Sequence, residues 1–189
     1  ADIAVHSMKD VPVEQVAGLV VDVMLERANP FDALLSREGL VLSELAAGAC
    51  VGTSSLRRQC QLRSARPDLT VRDLRGNVNT RIRKLQEGEY DAIILACAGL
   101  ERLGMNNLIT ETLKPPQWLP AGTQGTIGIQ CRAGDEPIID LIEPLKNADA
   151  VLRTRAERHV ATALHGSCQV PLAVFAEIEG AQLQVRGLV

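Results

Sequence analysis

Aromatic side chains are scarce: one Trp, one Tyr and two Phe in 189 residues. Proteins that grip single-stranded nucleic acid need flat rings on which bases stack. Phe31, Tyr90, Trp118 and Phe175 are scattered, and none falls inside the basic segment described below. There is no C-x-x-C pair either. Cys50, Cys60, Cys97, Cys131 and Cys168 form an odd set without the spacing of a zinc ribbon or a disulfide framework, so reduced thiols are expected. No apolar run approaches the roughly 18 residues that span a bilayer. No basic stretch followed by an apolar one opens the chain as a secretion signal would. These absences set the expectation of a cytoplasmic protein with no membrane contact.

What is present is ordinary for a globular protein: 46% apolar and 23% charged residues, with a net charge of −3. The charge is unevenly spread. From Arg57 to Lys84 nine basic residues face only Asp68 and Asp73, a local excess of seven positive charges. An acidic partner is implied there. The acidic remainder of the chain argues against a duplex backbone as that partner.

Strand-length apolar runs alternate with segments of helical period, which indicates an α/β fold. "ADIAVHS" reads as a strand entering a loop, and "AGLVVDVML" (17–25) as a strand. The run 91–96 has the continuous apolar character of a strand buried on both faces of a parallel sheet. Prolines 115, 116 and 120 break the chain before "TIGIQCR" (126–132) resumes as a strand. A long helix is predicted from Ala148 to about Leu164, with Leu152, Ala156, His159, Val160 and Ala163 on its apolar face and Gly166 as its cap. The final alternation reads as a hairpin turning at Glu179 and Gly180 in a small α+β unit. The abrupt ends suggest a fragment.

Three stretches could carry chemistry. "VGTSSLRRQ" (51–59) runs from a strand through glycine and small hydroxyls into a helix, an arrangement suited to anions, with Arg57 and Arg58 as planar forks. "LRGNVNTRIRK" (74–84) repeats it, with Gly76 for a tight turn, Asn77 as N-cap and Arg81 one turn in. Both lie where ligands of α/β sheets bind, beyond the carboxyl ends of strands. "HSMKDVP" (6–12) sets Lys9 and Asp10 in a loop after a strand, where a carboxylate among cations could hold a developing positive charge or move a proton. His6 fits a hydrogen-bonded loop histidine better than a catalyst. Gly166 and Ser167 clear space before Cys168, and Pro171 stiffens the chain after it.

The blocks "HSMKDVP", "GTSSLRRQCQL", "LRGNVNTR", "YDAIILACAGLERL" and "GSCQVPLAVFAEI" occur in an order and spacing that closely resemble the porphobilinogen deaminase (hydroxymethylbilane synthase) family of tetrapyrrole biosynthesis. The resemblance covers essentially the whole chain. It implies a dipyrromethane cofactor joined to Cys168 by a thioether, and a thiolate is the soft nucleophile such a bond requires. It implies four porphobilinogen molecules condensed to hydroxymethylbilane with loss of ammonia, with no metal or nucleotide. Asp10 would be the catalytic carboxylate. Lys9, Arg57, Arg58, Arg75, Arg81 and Arg102 would bind acetate and propionate groups of the substrate, cofactor and growing polypyrrole, with Thr53, Ser54 and Ser55 adding hydroxyl and amide contacts. A monomer without nucleic-acid partners is expected.

The resemblance also implies two periplasmic-binding-protein-like domains around a cleft, plus a small α+β third domain carrying the cysteine. Residues 1–25 and 126–145 would form a partial domain one, 30–119 domain two, and 148–189 a partial domain three. Such a fragment is expected to be inactive alone. Thr123, Thr126, Gln130 and Ser167 depart from the family pattern, which usually has glycine, alanine, glutamate and glycine there. A positive φ at Thr123 would strain a β-branched residue. The competing readings are a non-enzymatic binder of an acidic small molecule on the same architecture, for which Cys168 would be dispensable, and, more weakly, a nucleic-acid binding module.

Overall fold

The structure is a computed structural model and describes residues 1–14, 16–164 and 170–189. In chain order its first elements are β1 (Ile3–Ser7), β2 (Leu19–Met24), β3 (Asp32–Ser36), β4 (Cys50–Gly52), α1 (Leu56–Ala65), β5 (Thr70–Arg72), α2 (Val78–Gln86), β6 (Ala92–Ala96) and α3 (Cys97–Arg102). They continue with β7 (Glu111–Leu113), β8 (Ile127–Arg132), α4 (Glu136–Ile142), α5 (Ala148–Ala163), β9 (Ala173–Glu179) and β10 (Gln182–Leu188). The fold is α/β, and the chain divides into two compact units. Residues 31–119 form one; residues 1–30 and 120–189, including the segment assigned from the sequence to a third domain, form the other.

The 31–119 unit is built on a five-stranded sheet ordered β5-β4-β6-β3-β7. Successive strand residues point to opposite faces, so burial of every residue from Ala33 to Leu35 and from Ala92 to Leu95 requires cover on both sides. One face carries Ala33, Leu35, Ile93 and Leu95 against Ile82 and Leu85 of α2 and Leu100 of α3. The other carries Leu34, Val51 and Ile94 against Leu62 of α1, with Leu113 and Trp118. The sheet is mixed rather than parallel: β4 runs parallel to β5 and β6, while β3 is antiparallel to β6 and β7. A continuous apolar run reports cover on two faces and is silent on strand direction, so the sequence could not distinguish the two.

In the other unit β8 lies between β1 and β2, antiparallel to both. Val23, Ile129 and Cys131 face Ile142 of α4. Met24, one residue along, points the other way and packs with Met8 and with Ala150 and Val151 of α5. The β9–β10 hairpin turns at Gly180, with φ +60. α5 corrects the sequence reading of its inner face. Its buried residues are Ala150, Val151, Thr154 and Glu157, whereas Leu152 is 48% exposed. The inner face is partly polar because Glu157 satisfies four donors there: two Arg27 N–H groups and the backbone N–H groups of Thr123 and Ala176.

Thr123 has φ +61, the only positive-φ residue other than glycine among the described residues. A left-handed backbone that glycine adopts freely is therefore imposed on a β-branched side chain.

Candidate functional site

The three parallel strands of the 31–119 unit end at one edge, and the turns after them carry most of the predicted ligands. After β4, the Thr53 N–H donates to the Arg72 carbonyl at 2.9 Å, and Thr53 Oγ1 accepts the Ser55 N–H at 3.3 Å. Ser55 caps α1, its hydroxyl accepting the Arg58 N–H at 3.5 Å. After β5 the chain turns through Gly76, with φ +119, where a side chain would meet Thr80 at 2.8 Å. Asn77 then caps α2 by accepting the Thr80 N–H at 2.9 Å. The Asn77 cap falls where the sequence placed it. Arg81 Nε donates to the Gly76 carbonyl at 2.7 Å, which holds that arginine against its own turn. Arg75 is exposed on the turn, and Arg102, also exposed, ends α3 after β6.

Arg57 and Arg58 have a different environment. Both are buried and turn their heads onto Asp32, a fully buried carboxylate at the start of β3. Arg57 Nη1 and Nη2 donate to it at 2.7 and 3.3 Å, and Arg58 Nε and Nη2 at 3.0 and 2.6 Å. Trp118 Nε1 adds a fifth bond at 2.7 Å. Arg57 also reaches the Leu119 carbonyl and Arg58 the Ile94 carbonyl. Burial alone would push the Asp32 carboxyl up, but the charges and hydrogen bonds of Arg58 and Arg57 outweigh it and hold it well below the usual carboxylate range. Two guanidiniums against one carboxylate leave a surplus positive charge. Burial and then the nearby Arg58 charge push the Arg81 guanidinium below its ordinary value.

Lys9 and Asp10 belong to the other unit. They sit in one helical turn, Met8–Asp10, directly after β1. The turn is anchored by buried Met8, whose N–H donates to the Thr126 carbonyl at 3.0 Å. Gly128 makes room for the Met8 side chain, since a Cβ there would collide with its sulfur. Asp10 is exposed at the end of the turn and Lys9 half-buried. His6 Nε2 lies 3.1 Å from Gln130 Oε1. Cys168 and Ser167 lie outside the described residues. Of the cysteines described, Cys97 is fully buried, and burial first, then the Asp32 charge, pushes its thiol up to about 11.

Sequence reasoning missed Asp32, Trp118 and Glu157. The available signal was an acid inside the apolar run "FDALLS", because an aspartate in a strand covered on both faces needs cationic partners. Glu157 gave no comparable signal, being one charge among several on a helix rich in them.

Arginines and hydroxyls are thus gathered at the carboxyl ends of parallel strands, where α/β folds bind their ligands. The chain belongs to the porphobilinogen deaminase family: residues 1–140 match its dipyrromethane cofactor binding domain and residues 151–189 its C-terminal domain. Among solved structures, the chain is similar to a periplasmic binding protein of high arginine specificity from Salmonella typhimurium. Identity there is 14% and TM-score 0.42, over 77% of this chain and 59% of that one. It is also similar to a periplasmic substrate-binding protein of an ABC transporter from Coxiella burnetii, at 15% identity and TM-score 0.42, over 79% of this chain and 67% of that one. No helix among the described residues is long and apolar enough to cross a membrane.

Proposed function

We propose that the chain takes part in its family's reaction, in which four porphobilinogen molecules are joined head to tail into hydroxymethylbilane. Each condensation forms one carbon–carbon bond and releases one ammonia, and a final hydrolysis frees the product. The observation that carries this reading is the surplus positive charge beside Arg81, on the edge that also presents Arg75 and the Thr53–Ser55 turn. Porphobilinogen units bring an acetate and a propionate each, so the growing chain supplies the carboxylates such an edge favours.

The same donors suit the four carboxylates of a dipyrromethane, which, attached through Cys168, would supply the free pyrrole carbon from which the chain grows. Arg75 and Arg81 would take its carboxylates or those of the substrate, with the α1 N-terminus offering N–H groups. Arg57 and Arg58, committed to Asp32, would act on these groups mainly through their charge. Lys9 would pair with a carboxylate. Asp10, at the end of a turn pinned by Met8, would stabilise the cationic pyrrole formed as ammonia leaves and accept its proton.

The test is the intact mass of the protein expressed from its complete gene in a haem-synthesising host, with peptide mapping across Cys168. A mass increase of two pyrrole units on the Cys168 peptide is expected. An unmodified cysteine, with carboxylate binding unchanged in Cys168→Ala, would overturn the reading in favour of a non-enzymatic binder.

A further inference from the structure

Arg75 projects from a turn, residues 73–76, that is tied down by three side chains from other elements. The Ser54 hydroxyl accepts the Leu74 N–H and donates to the Leu74 carbonyl, each at 3.0 Å. The Tyr90 hydroxyl donates to the Asp73 carbonyl at 2.6 Å. Gln59, buried on α1, donates from one amide nitrogen to the Thr53 carbonyl at 3.0 Å and to Asp73 Oδ1 at 3.1 Å. One buried amide thus bridges the two turns that carry Thr53, Ser55 and Arg75.

Tyr90 has a fixed seat. Its ring lies against Gly52, where an added Cβ would fall 2.8 Å from Cδ1 and 2.9 Å from Cε1, and the Arg72 guanidinium carbon stands 5.2 Å from the ring centroid. A phenol held this way delivers its proton to one point on the 73–76 turn. Leu74, fully buried, anchors the turn from beneath. An exposed arginine normally loses much side-chain and backbone freedom when it grips a carboxylate. Here the backbone share of that loss is already met by folding.

We infer that Ser54, Gln59 and Tyr90 are positioning residues that hold the Arg75 turn in its anion-gripping conformation, and that Ser54 serves the site through Leu74 rather than by touching the ligand. The inference rests on the proposed role of Arg75 as a carboxylate ligand. It adds Gln59 and Tyr90 to the site and changes the part taken by Ser54.

The experiment is a double-mutant cycle on the 189-residue chain, read by calorimetric titration with a synthetic dipyrromethane bearing two acetates and two propionates. Arg75→Ala should weaken binding about tenfold, the ordinary worth of one charge-assisted contact. Tyr90→Phe and Ser54→Ala should each weaken it several-fold while Arg75 is present and have no effect once Arg75 is alanine. Ser54→Thr, which keeps the hydroxyl, should restore the affinity. A Ser54→Ala or Tyr90→Phe loss that persists in the Arg75→Ala background overturns the inference, as does no loss in the parent. An Arg75→Ala chain that binds as tightly as the parent overturns the underlying ligand role together with the inference. That outcome is distinct, because in the others Arg75→Ala still weakens binding.

Discussion

Arg27 and Glu157, 130 positions apart in sequence, form a two-pronged ion pair, with Nη1 donating to Oε1 at 2.7 Å and Nη2 to Oε2 at 3.2 Å. Their side chains are 4% and 0% exposed. The remaining acceptor capacity of the carboxylate is taken by the N–H groups of Thr123 and Ala176, while Arg27 Nε donates to the Gln124 carbonyl. The segment after β2, the 123–125 turn, α5 and β9 therefore meet at one carboxylate. Each Arg27 guanidinium nitrogen donates and each Glu157 oxygen accepts two hydrogen bonds, which offsets the cost of burying the two charges.

Glu157→Gln removes the charge opposite Arg27 and turns an N–H toward other donors. We expect a loss of about 3–5 kcal/mol in urea unfolding, the usual cost of leaving one member of a buried pair uncompensated. The double variant Arg27→Met, Glu157→Leu should lose less than the sum of its single variants. An additive result would show that the two side chains act independently.

At Thr123 the backbone decides the outcome. Thr123→Gly should be more stable than Thr123→Ala by about 1 kcal/mol, since alanine keeps the Cβ that a positive φ penalises and glycine does not. Thermal unfolding of the two variants side by side makes the comparison. Equal midpoints would mean that the turn carries no such strain.

Asp32 gives the 31–119 unit an acid limit. A carboxyl whose folded pKa is depressed adds stability above its unfolded value of about 4, and loses it as pH falls below that toward the folded value. Unfolding stability should hold from neutral pH to about pH 4 and then drop, read through Trp118, the single tryptophan and a direct donor to Asp32. Asp32→Asn, which leaves two buried guanidiniums facing an amide, should cost about 3–5 kcal/mol at neutral pH. Its deficit should shrink as the pH falls. A deficit constant from pH 6 to below about pH 3 would contradict the assignment.

Cys60 and Cys97 should separate in thiol labelling. Cys60 is exposed on α1, whereas Cys97 is fully buried with its thiol pushed up to about 11. At pH 8 roughly one Cys97 thiol in a thousand would be ionised even if reagent reached it. Mass spectrometry after brief alkylation of the native chain should find the label on Cys60 and none on Cys97. Rapid labelling of Cys97 would require the strand-to-helix junction after β6 to open.

The sequence by itself determined the α/β class, the strands read within 1–7, 17–25 and 126–132, and the helix start at Asn77, because these depend on periodicity and on a short side chain capping the next turn. It also placed the arginine-bearing turns at strand ends. The tertiary structure alone decided which arginines are internal struts and which remain on the surface. Arg57 and Arg75 are indistinguishable as letters, yet Arg57 is claimed by an aspartate 25 residues away and Arg75 is exposed. It also decided the polar inner face of α5, where Glu157 is buried only because Arg27, Thr123 and Ala176 bring donors to it from distant parts of the chain. A charge enters the interior when partners converge on it in space, and local sequence spacing carries no record of that convergence.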